Sequence, residues 1–409
     1  LLTRHHYRRN KLLVYKIKEY AMLKDFTYYV PVKLVFGEGA LNQAGEQVSA
    51  YGKKALIVTT GNFFKETGLV DRLQNILKKD GVESLHFSEV DPNPLNTQID
   101  AGAALAKKNG VDVVIGLGGG SAIDAAKAMA IALGHDRPIW DFCDGDDVQE
   151  VSDKTFPIIA ISTTSGTGSE GTQWSVITNL EKRMKPGIGS DYTFAKVAIV
   201  DPELMVSLPP RITASTGFDV LAHAIEAYTS TLATPVTDMM CEKAIRLVGK
   251  YLRRAVKNGE DREARNGMAF ANTMSGFSIA VGIVTVCHGL AHSIGGVAGT
   301  IHGETLAAMT PQTMRFSMKA NPDKFKDIGM FLRDEYINIG QYQLEDSVEE
   351  VEDLISDIGL DNGLASQGVK EEHIEEIADG VINYMGGSIE IDPMDITKDD
   401  LIEIITQSM

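Results

Sequence analysis

Cysteine is scarce in this chain. Three occur in 409 residues (Cys143, Cys241 and Cys287), odd in number and far apart. Such spacing supports no disulfide framework and fits a reducing cytoplasm. Long apolar runs are missing as well: none approaches the roughly 18 to 20 residues that a bilayer span requires. Positive charge is in deficit, with 39 Lys and Arg against 56 Asp and Glu and a net charge of -17. A nucleic-acid surface needs a basic stripe, so that class of partner is not expected. No internal repeat and no low-complexity tract interrupts the sequence.

What is present reads as an ordinary globular chain. Hydrophobic residues make 44% and charged residues 23%, a balance suited to a protein that handles small molecules. The length allows two domains. Residues 1–21 stand apart, because Arg4, Arg8, Arg9, Lys11, Lys16 and Lys18 form a basic arm on an acidic protein. Its apolar core, Leu12-Leu13-Val14, is too short for a signal peptide. The arm is read as a disordered or vector-derived extension, or an upstream start, with a basic interaction arm as the alternative. Met22 opens the ordinary sequence.

From Val32 short apolar runs alternate with helical stretches. Strands are expected at Val32 to Phe36, Ala55 to Thr59, Ser84 to Phe87, Val111 to Gly116, Pro157 to Ile161, Val176 to Thr178 and Val197 to Val200. Between them lie helices ending near Ala50 and spanning Lys65 to Lys79, Leu95 to Asn109 and Ala122 to Leu133. Such alternation predicts a parallel sheet covered on both faces, with ligands at the C-terminal strand ends. Two glycine-rich loops fall at those ends. The first, Gly116-Leu117-Gly118-Gly119-Gly120-Ser121, opens a helix. Glycines there let backbone N–H groups approach an anion, and the helix dipole adds to the attraction. Ser121 takes the place of the last glycine of the G-x-G-x-x-G fingerprint, and no Lys-Ser/Thr pair follows as in a P-loop. A plain tight turn is the alternative. The second loop, Ser162 to Glu170, carries hydroxyls and glycines. Alone it would read as a surface loop; two such loops on one sheet favour a shared dinucleotide. Lys185 faces a phosphate or simply water.

After Pro209-Pro210 the texture turns helical, so the domain boundary is placed near Leu208, dividing 22–207 from 208–409. Helices are expected at Ala214 to Tyr228, Thr237 to Ala255, Arg262 to Ala280, Glu304 to Phe316, Pro322 to Tyr336, Val348 to Asp357 and Glu371 to Tyr384, with Thr397 as the last N-cap. The chemistry concentrates between Gly217 and Glu304. Asp219 and His223 are four apart in an Ala-rich helical run, so both point the same way. His288 and His292 repeat the spacing, and His302 follows a Gly-rich turn. Either pair alone suits a surface or satisfied core contact. Together they suit a borderline divalent metal such as zinc or ferrous iron.

These stretches carry a resemblance. Gly-Gly-Gly-Ser-x-x-Asp at Gly118 to Asp124, Thr-Thr-x-Gly-Thr-Gly-Ser-Glu at Thr163 to Glu170, Gly-x-Asp-x-x-x-His at Gly217 to His223, and His-Gly-x-x-His followed by His-Gly at His288 to Gly303 resemble the iron-containing (group III) alcohol dehydrogenases. The match runs from about Phe26 to the C-terminus and is closest to the propanediol, ethanol and lactaldehyde reductase branch. It implies an α/β nucleotide-binding domain followed by an all-α metal-binding domain, the dehydroquinate synthase-like plan. It places metal ligands on Asp219, His223, His288 and His302, and a proton-handling role on His292. It places dinucleotide contacts on Gly61, Asn93, Gly118, Gly119, Gly120, Ser121, Thr163, Thr164, Val176 and Lys185. The implied reaction is hydride transfer between a short primary alcohol and NAD(P), with Fe(II), or zinc as its substitute, acting as Lewis acid. A polyol or hydroxy-acid dehydrogenase on the same scaffold is the alternative. NAD-preferring members carry an aspartate after the second strand; here Thr60-Gly61-Asn62 has no carboxylate, which predicts that NADP(H) is accepted and preferred. The resemblance also implies a homodimer or larger assembly, and Trp174 and Phe277 are expected near the substrate. Cys287 is expected to be a small buried residue.

Overall fold

The inner strand-forming runs between Lys54 and Val200 are rich in Val, Ile and Leu, as strands covered on both faces must be, whereas the edge run Glu83–Val90 mixes polar residues in. In the computed structural model, which describes residues 25–143, 147–333 and 342–409, the runs from Lys33 to Val200 build one six-stranded sheet. Its strands are β1 (Lys33–Phe36), β2 (Lys54–Thr60), β3 (Glu83–Val90), β4 (Val113–Gly118), β5 (Ile158–Ser162) and, after a short antiparallel pair β6 (Ser175–Val176) and β7 (Gly187–Ile188), β8 (Val197–Val200). The order is β1-β8-β5-β4-β2-β3, and every pairing in it is parallel. The basic arm at residues 1–21 lies outside the described residues.

Alternate strand residues serve the two faces. Ile57, Val113, Ile115 and Leu117 pack with α1 (Ala44–Ser49) and α3 (Leu69–Lys79), the latter preceded by the single turn α2 (Phe63–Glu66). Leu56, Val58 and Val114 pack with α4 (Asn96–Asn109) and α5 (Gly120–His135) on the other face. From β2 the chain runs outward to β3, and from β4 it runs the other way to β5. The direction therefore reverses between β2 and β4, the place where open α/β sheets bind ligands. Two expectations need correcting. The helix expected over Lys65 to Lys79 is two pieces, because Gly68 adopts φ +79 and starts α3 anew. Val176 to Thr178 contributes to the small antiparallel pair, since Asp124 accepts the Val176 N–H that a sheet neighbour would otherwise take.

The second half is helical from α6 (Pro210–Thr229) through α7 (Pro235–Lys257), α8 (Arg262–Gly282), α9 (Val286–Ala298), α10 (His302–Ser317), α11 (Pro322–Arg333), α12 (Asp346–Asp357), α13 (Ile374–Tyr384), α14 (Gly386–Glu390) and α15 (Lys398–Gln407). The stretch expected to run to Tyr336 is helical to Arg333; the remainder lies outside the described residues. Thr397 caps α15 by accepting from Asp400 N–H. Helix α6 is buried nearly all round from Thr213 to Thr229. A helix buried on every side is the core of its layer, and its small residues permit that: a Cβ on Gly217 would sit 2.2 Å from Leu252 Cδ1. The halves are stitched where the second glycine loop meets α8. Asn272 Oδ1 accepts from Gly166 and Gly168 N–H at 2.7 and 2.9 Å, and its amide donates to Glu170 at 2.6 Å.

Candidate active site

Asp219 and His223 sit one turn apart on α6. Glu226, three residues further on, continues the same stripe. Helix α9 supplies His288 in its first turn and His292 one turn later, and His302 is the first residue of α10. Helix α10 comes close enough because Gly303 has no side chain: a Cβ there would lie 2.0 Å from the Ser215 carbonyl of α6.

Asp219, His288 and His302 each offer a ligand atom, and these atoms lie within 4.8 Å of one another. Asp219 Oδ1 is the hub, 3.3 Å from His288 Nε2, 3.8 Å from His302 Nε2 and 3.4 Å from His223 Nδ1. The His223 ring stacks on that of His288, centroids 4.3 Å apart, so it flanks the other three donors. Nδ1 of His223, His292 and His302 is buried with no hydrogen-bond partner. Buried polar atoms are costly unless paired, and a carboxylate ringed by imidazoles, with three further ring nitrogens left unpaired, has the chemistry of a borderline divalent-metal site. The residues present fit such a metal.

The electrostatics agree for Asp219, His223 and His302, and differ for His288. Burial alone would push the Asp219 carboxyl up, but the surrounding imidazoles outweigh it and hold it well below the usual carboxylate range. Burial pushes His223 down to about 4 and takes His292 and His302 well below the usual imidazole value, leaving them neutral as metal ligands must be. His288 goes the other way, to about 9, because Glu226 and Asp219 outweigh its burial.

Glu226 is the residue that the sequence reading missed. Its Oε1 lies 2.5 Å from His288 Nδ1, while Oε2 accepts Thr285 N–H at 2.5 Å and His288 N–H at 3.3 Å. One carboxylate thus satisfies the free N–H groups at the start of α9 and fixes which His288 nitrogen faces Asp219. The signal was available: Asp219, His223 and Glu226 recur at four and three along one helix.

The imidazoles open onto a cavity of about 360 Å³, whose opposite wall is the first glycine loop. Of the expected dinucleotide residues, Asn93, Gly120, Ser121, Val176 and Lys185 line it; Gly61, Gly118, Gly119, Thr163 and Thr164 do not. Register explains how the two loops meet, since Gly118 pairs with Ser162 across β4 and β5. A Cβ on Gly120 would fall 2.4 Å from Thr167 Cγ2, and one on Gly119 would fall 3.0 Å from Thr164 Oγ1. The glycines therefore admit the second loop as well as any ligand. Thr163 Oγ1 is buried and unpartnered. Lys185, pushed down to about 8 by burial despite Asp124 and Asp219, donates to Asn93 Oδ1 at 2.7 Å. Trp174 also lines the cavity. Phe277 does not; its ring packs against Gly171 instead. Cys287 is buried beside Thr310, as its neighbours led one to expect.

Comparison with known proteins covers both halves of the chain. Residues 31–202 match the iron-containing alcohol dehydrogenase family, and residues 213–409 match the C-terminal part of the Fe-containing alcohol dehydrogenase family. The chain belongs to that family. It is 37% identical to a choline dehydrogenase of Bacillus subtilis (strain 168), over 88% of this chain and 90% of that one. It is 33% identical to an NAD-dependent methanol dehydrogenase of Bacillus methanolicus, over 93% and 99%. The solved structure of an archaeal halo-thermophilic alcohol dehydrogenase from a Red Sea brine pool superposes with a TM-score of 0.91 at 38% identity, covering 95% of this chain and 100% of that one. The protein is accordingly an enzyme of the metal- and nicotinamide-dependent kind, interconverting small alcohols and their carbonyl compounds.

Proposed function

We propose that this enzyme oxidises short, uncharged primary alcohols and reduces the matching aldehydes, and that it accepts NADP(H) as well as NAD(H). The observation that supports the reading best is the shared cavity, in which unpaired imidazoles face a glycine loop that opens a helix. Asp219, His223, His288 and His302 would hold the divalent ion, Fe(II) in the family and zinc as a substitute. When bound, that ion supplies Lewis acidity at the alcohol or carbonyl oxygen. Gly118 to Ser121, Asn93, Thr163, Thr164, Val176 and Lys185 would hold the dinucleotide; helix α5 starts at Gly120 and presents its free N–H groups there. His292 lies in the same cavity with an unpaired Nδ1. Its free ring nitrogen is the group there that could relay a proton between the substrate hydroxyl and solvent.

Substrate charge follows from the lining. Lys185 is its one lysine or arginine, and that ammonium is bonded to Asn93. Trp174, Ile279, Ile283, Val284 and Met385 make the rest of the wall apolar. With Lys185 given to the dinucleotide, an anionic substrate would have no cation to itself, whereas a short alkyl chain loses water against these side chains. Acceptance of NADP(H) is supported by the turn after β2: Gly61 takes φ +61, and Thr60-Gly61-Asn62 offers no carboxylate to repel a 2′-phosphate. A cytoplasmic homodimer or larger homo-oligomer completes the proposal. The test is an anaerobic assay of iron-loaded protein against primary alcohols of increasing chain length and an anionic alcohol, with both cofactors. The expected result is a preference for neutral short chains and comparable kcat/KM with NADP and NAD. Strong selectivity for NAD, or for the anion, would overturn it.

A further inference from the structure

Lys127 is among the largest wholly buried side chains of the protein, and it does not line the cavity. A buried ammonium is expensive unless every proton finds an acceptor. Here each does. Lys127 Nζ donates to the Trp174 carbonyl at 2.7 Å, the Ser169 carbonyl at 2.8 Å, Ser169 Oγ at 2.9 Å and Thr172 Oγ1 at 3.4 Å. Ser169, Thr172 and Trp174 all belong to the cavity wall, so one cation on α5 grips that wall from behind. Ser169 Oγ donates onward to Asp124 Oδ1 at 2.6 Å, and Asp124 Oδ2 accepts Val176 N–H at 3.0 Å. Asp124 itself lines the cavity, one helical turn from Ser121. The chain of contacts thus runs from a hidden ammonium, through a hydroxyl, to a carboxylate in the cavity. Burial pushes the Asp124 carboxyl up, and Lys127 is the first of the groups that pull it back down.

We propose that Lys127 is a positioning residue that holds Asp124 in place as a carboxylate at the cavity wall, so that the site binds the oxidised nicotinamide cofactor in preference to the reduced one. The two redox forms differ there by one positive charge on the nicotinamide ring. A carboxylate held ionised in the lining attracts the charged form more than the neutral one, and Lys185, in the same lining, opposes it in both the unaltered protein and the variants. The inference rests on the cavity being the nicotinamide dinucleotide site.

The test uses iron-loaded, full-length protein under anaerobic conditions and measures binding without turnover. NADH is titrated by its fluorescence, and NAD+ by competition against it, for the unaltered protein, Lys127→Met, Ser169→Ala, Asp124→Asn and the double variants with Asp124→Asn. Losing one charge-assisted hydrogen bond predicts a Kd for NAD+ raised about tenfold in Lys127→Met. Ser169→Ala should shift it in the same direction, with NADH changed less than about threefold in both. Adding either change to Asp124→Asn should have no further effect on the ratio of the two affinities. Equal weakening of both redox forms, or full additivity with Asp124→Asn, would overturn the role of Lys127 alone. Failure of the unaltered protein to bind either form would overturn the reading of the cavity as well. If Lys127→Met does not fold, Ser169→Ala and its double variant run the same cycle.

Discussion

The two lobes make their halves of one site from different materials. On the proposed reading the sheet lobe would use backbone: the loop at Gly118 to Ser121 would work through N–H groups, and its Gly119 and Gly120 leave no room for a Cβ beside Thr164 and Thr167. The helical lobe uses side chains: Asp219 and the imidazoles gather on three helices. The difference teaches where each half is fragile. A side-chain site is lost when a donor is deleted, and a backbone site is lost when an atom is added.

The comparison breaks most visibly at Asp219, the hub of the donor cluster. Asp219→Ala should lose bound metal and drop kcat about 10³-fold or more, with dinucleotide affinity little changed. Metal analysis beside NADH titration separates the two, and retained stoichiometric metal would refute the assignment. His292→Ala should keep its metal and lose about 10²-fold in rate; loss of the metal instead would make His292 a ligand. Glu226→Gln comes next, because it removes the charge behind His288 while keeping the shape. Metal affinity should fall about 10- to 100-fold, measured by competition with a chelator. On the sheet side Gly120→Ala forces a Cβ against Thr167. It should cost about 1–3 kcal/mol of stability and weaken dinucleotide binding, with metal content intact; unchanged dinucleotide affinity would mean that this loop cradles nothing.

The smallest effect sharpens the contrast between two buried aspartates of the helical lobe. Asp219 is held ionised, whereas burial pushes Asp392 up to about 6 against the groups that stabilise its charge, Met394 N–H and Ser317 Oγ first among them. A carboxyl raised in the folded state binds its proton more tightly there than in the unfolded chain. Stability is therefore gained as pH falls through about 6 toward the unfolded value of 3.8, and is missing above it. Asp392→Asn keeps an acceptor for Ser317 and Met394. It should raise Tm by a few degrees at pH 7 and leave it unchanged near pH 4. Equal shifts at both values would assign the effect to packing.

Much of this was legible before any coordinates. Runs such as Ala55 to Thr59 and Val197 to Val200 advertised buried parallel strands because nothing polar interrupts them. The paired spacing of Asp219, His223, His288 and His292 advertised a cluster because a helix brings every fourth residue to one side. Other features were hidden for physical reasons. Glu226 looked like one more helical glutamate, since its partners at Thr285 and His288 lie about sixty residues away. Lys127 was silent because no local pattern reveals that a lysine is enclosed. Phe277 was expected near the substrate, but helix phase turned its ring onto Gly171. The placement of Gly119 beside Thr164 depends on sheet register, which only pairing between distant strands decides.

The imidazoles and the glycine loop open onto the same hollow. On the proposed reading, ion and dinucleotide would share that space, and a resident cofactor would stand between the ion and solvent. A chelator should strip the iron more slowly from protein saturated with dinucleotide than from protein without it, and the metal should be loaded before the cofactor.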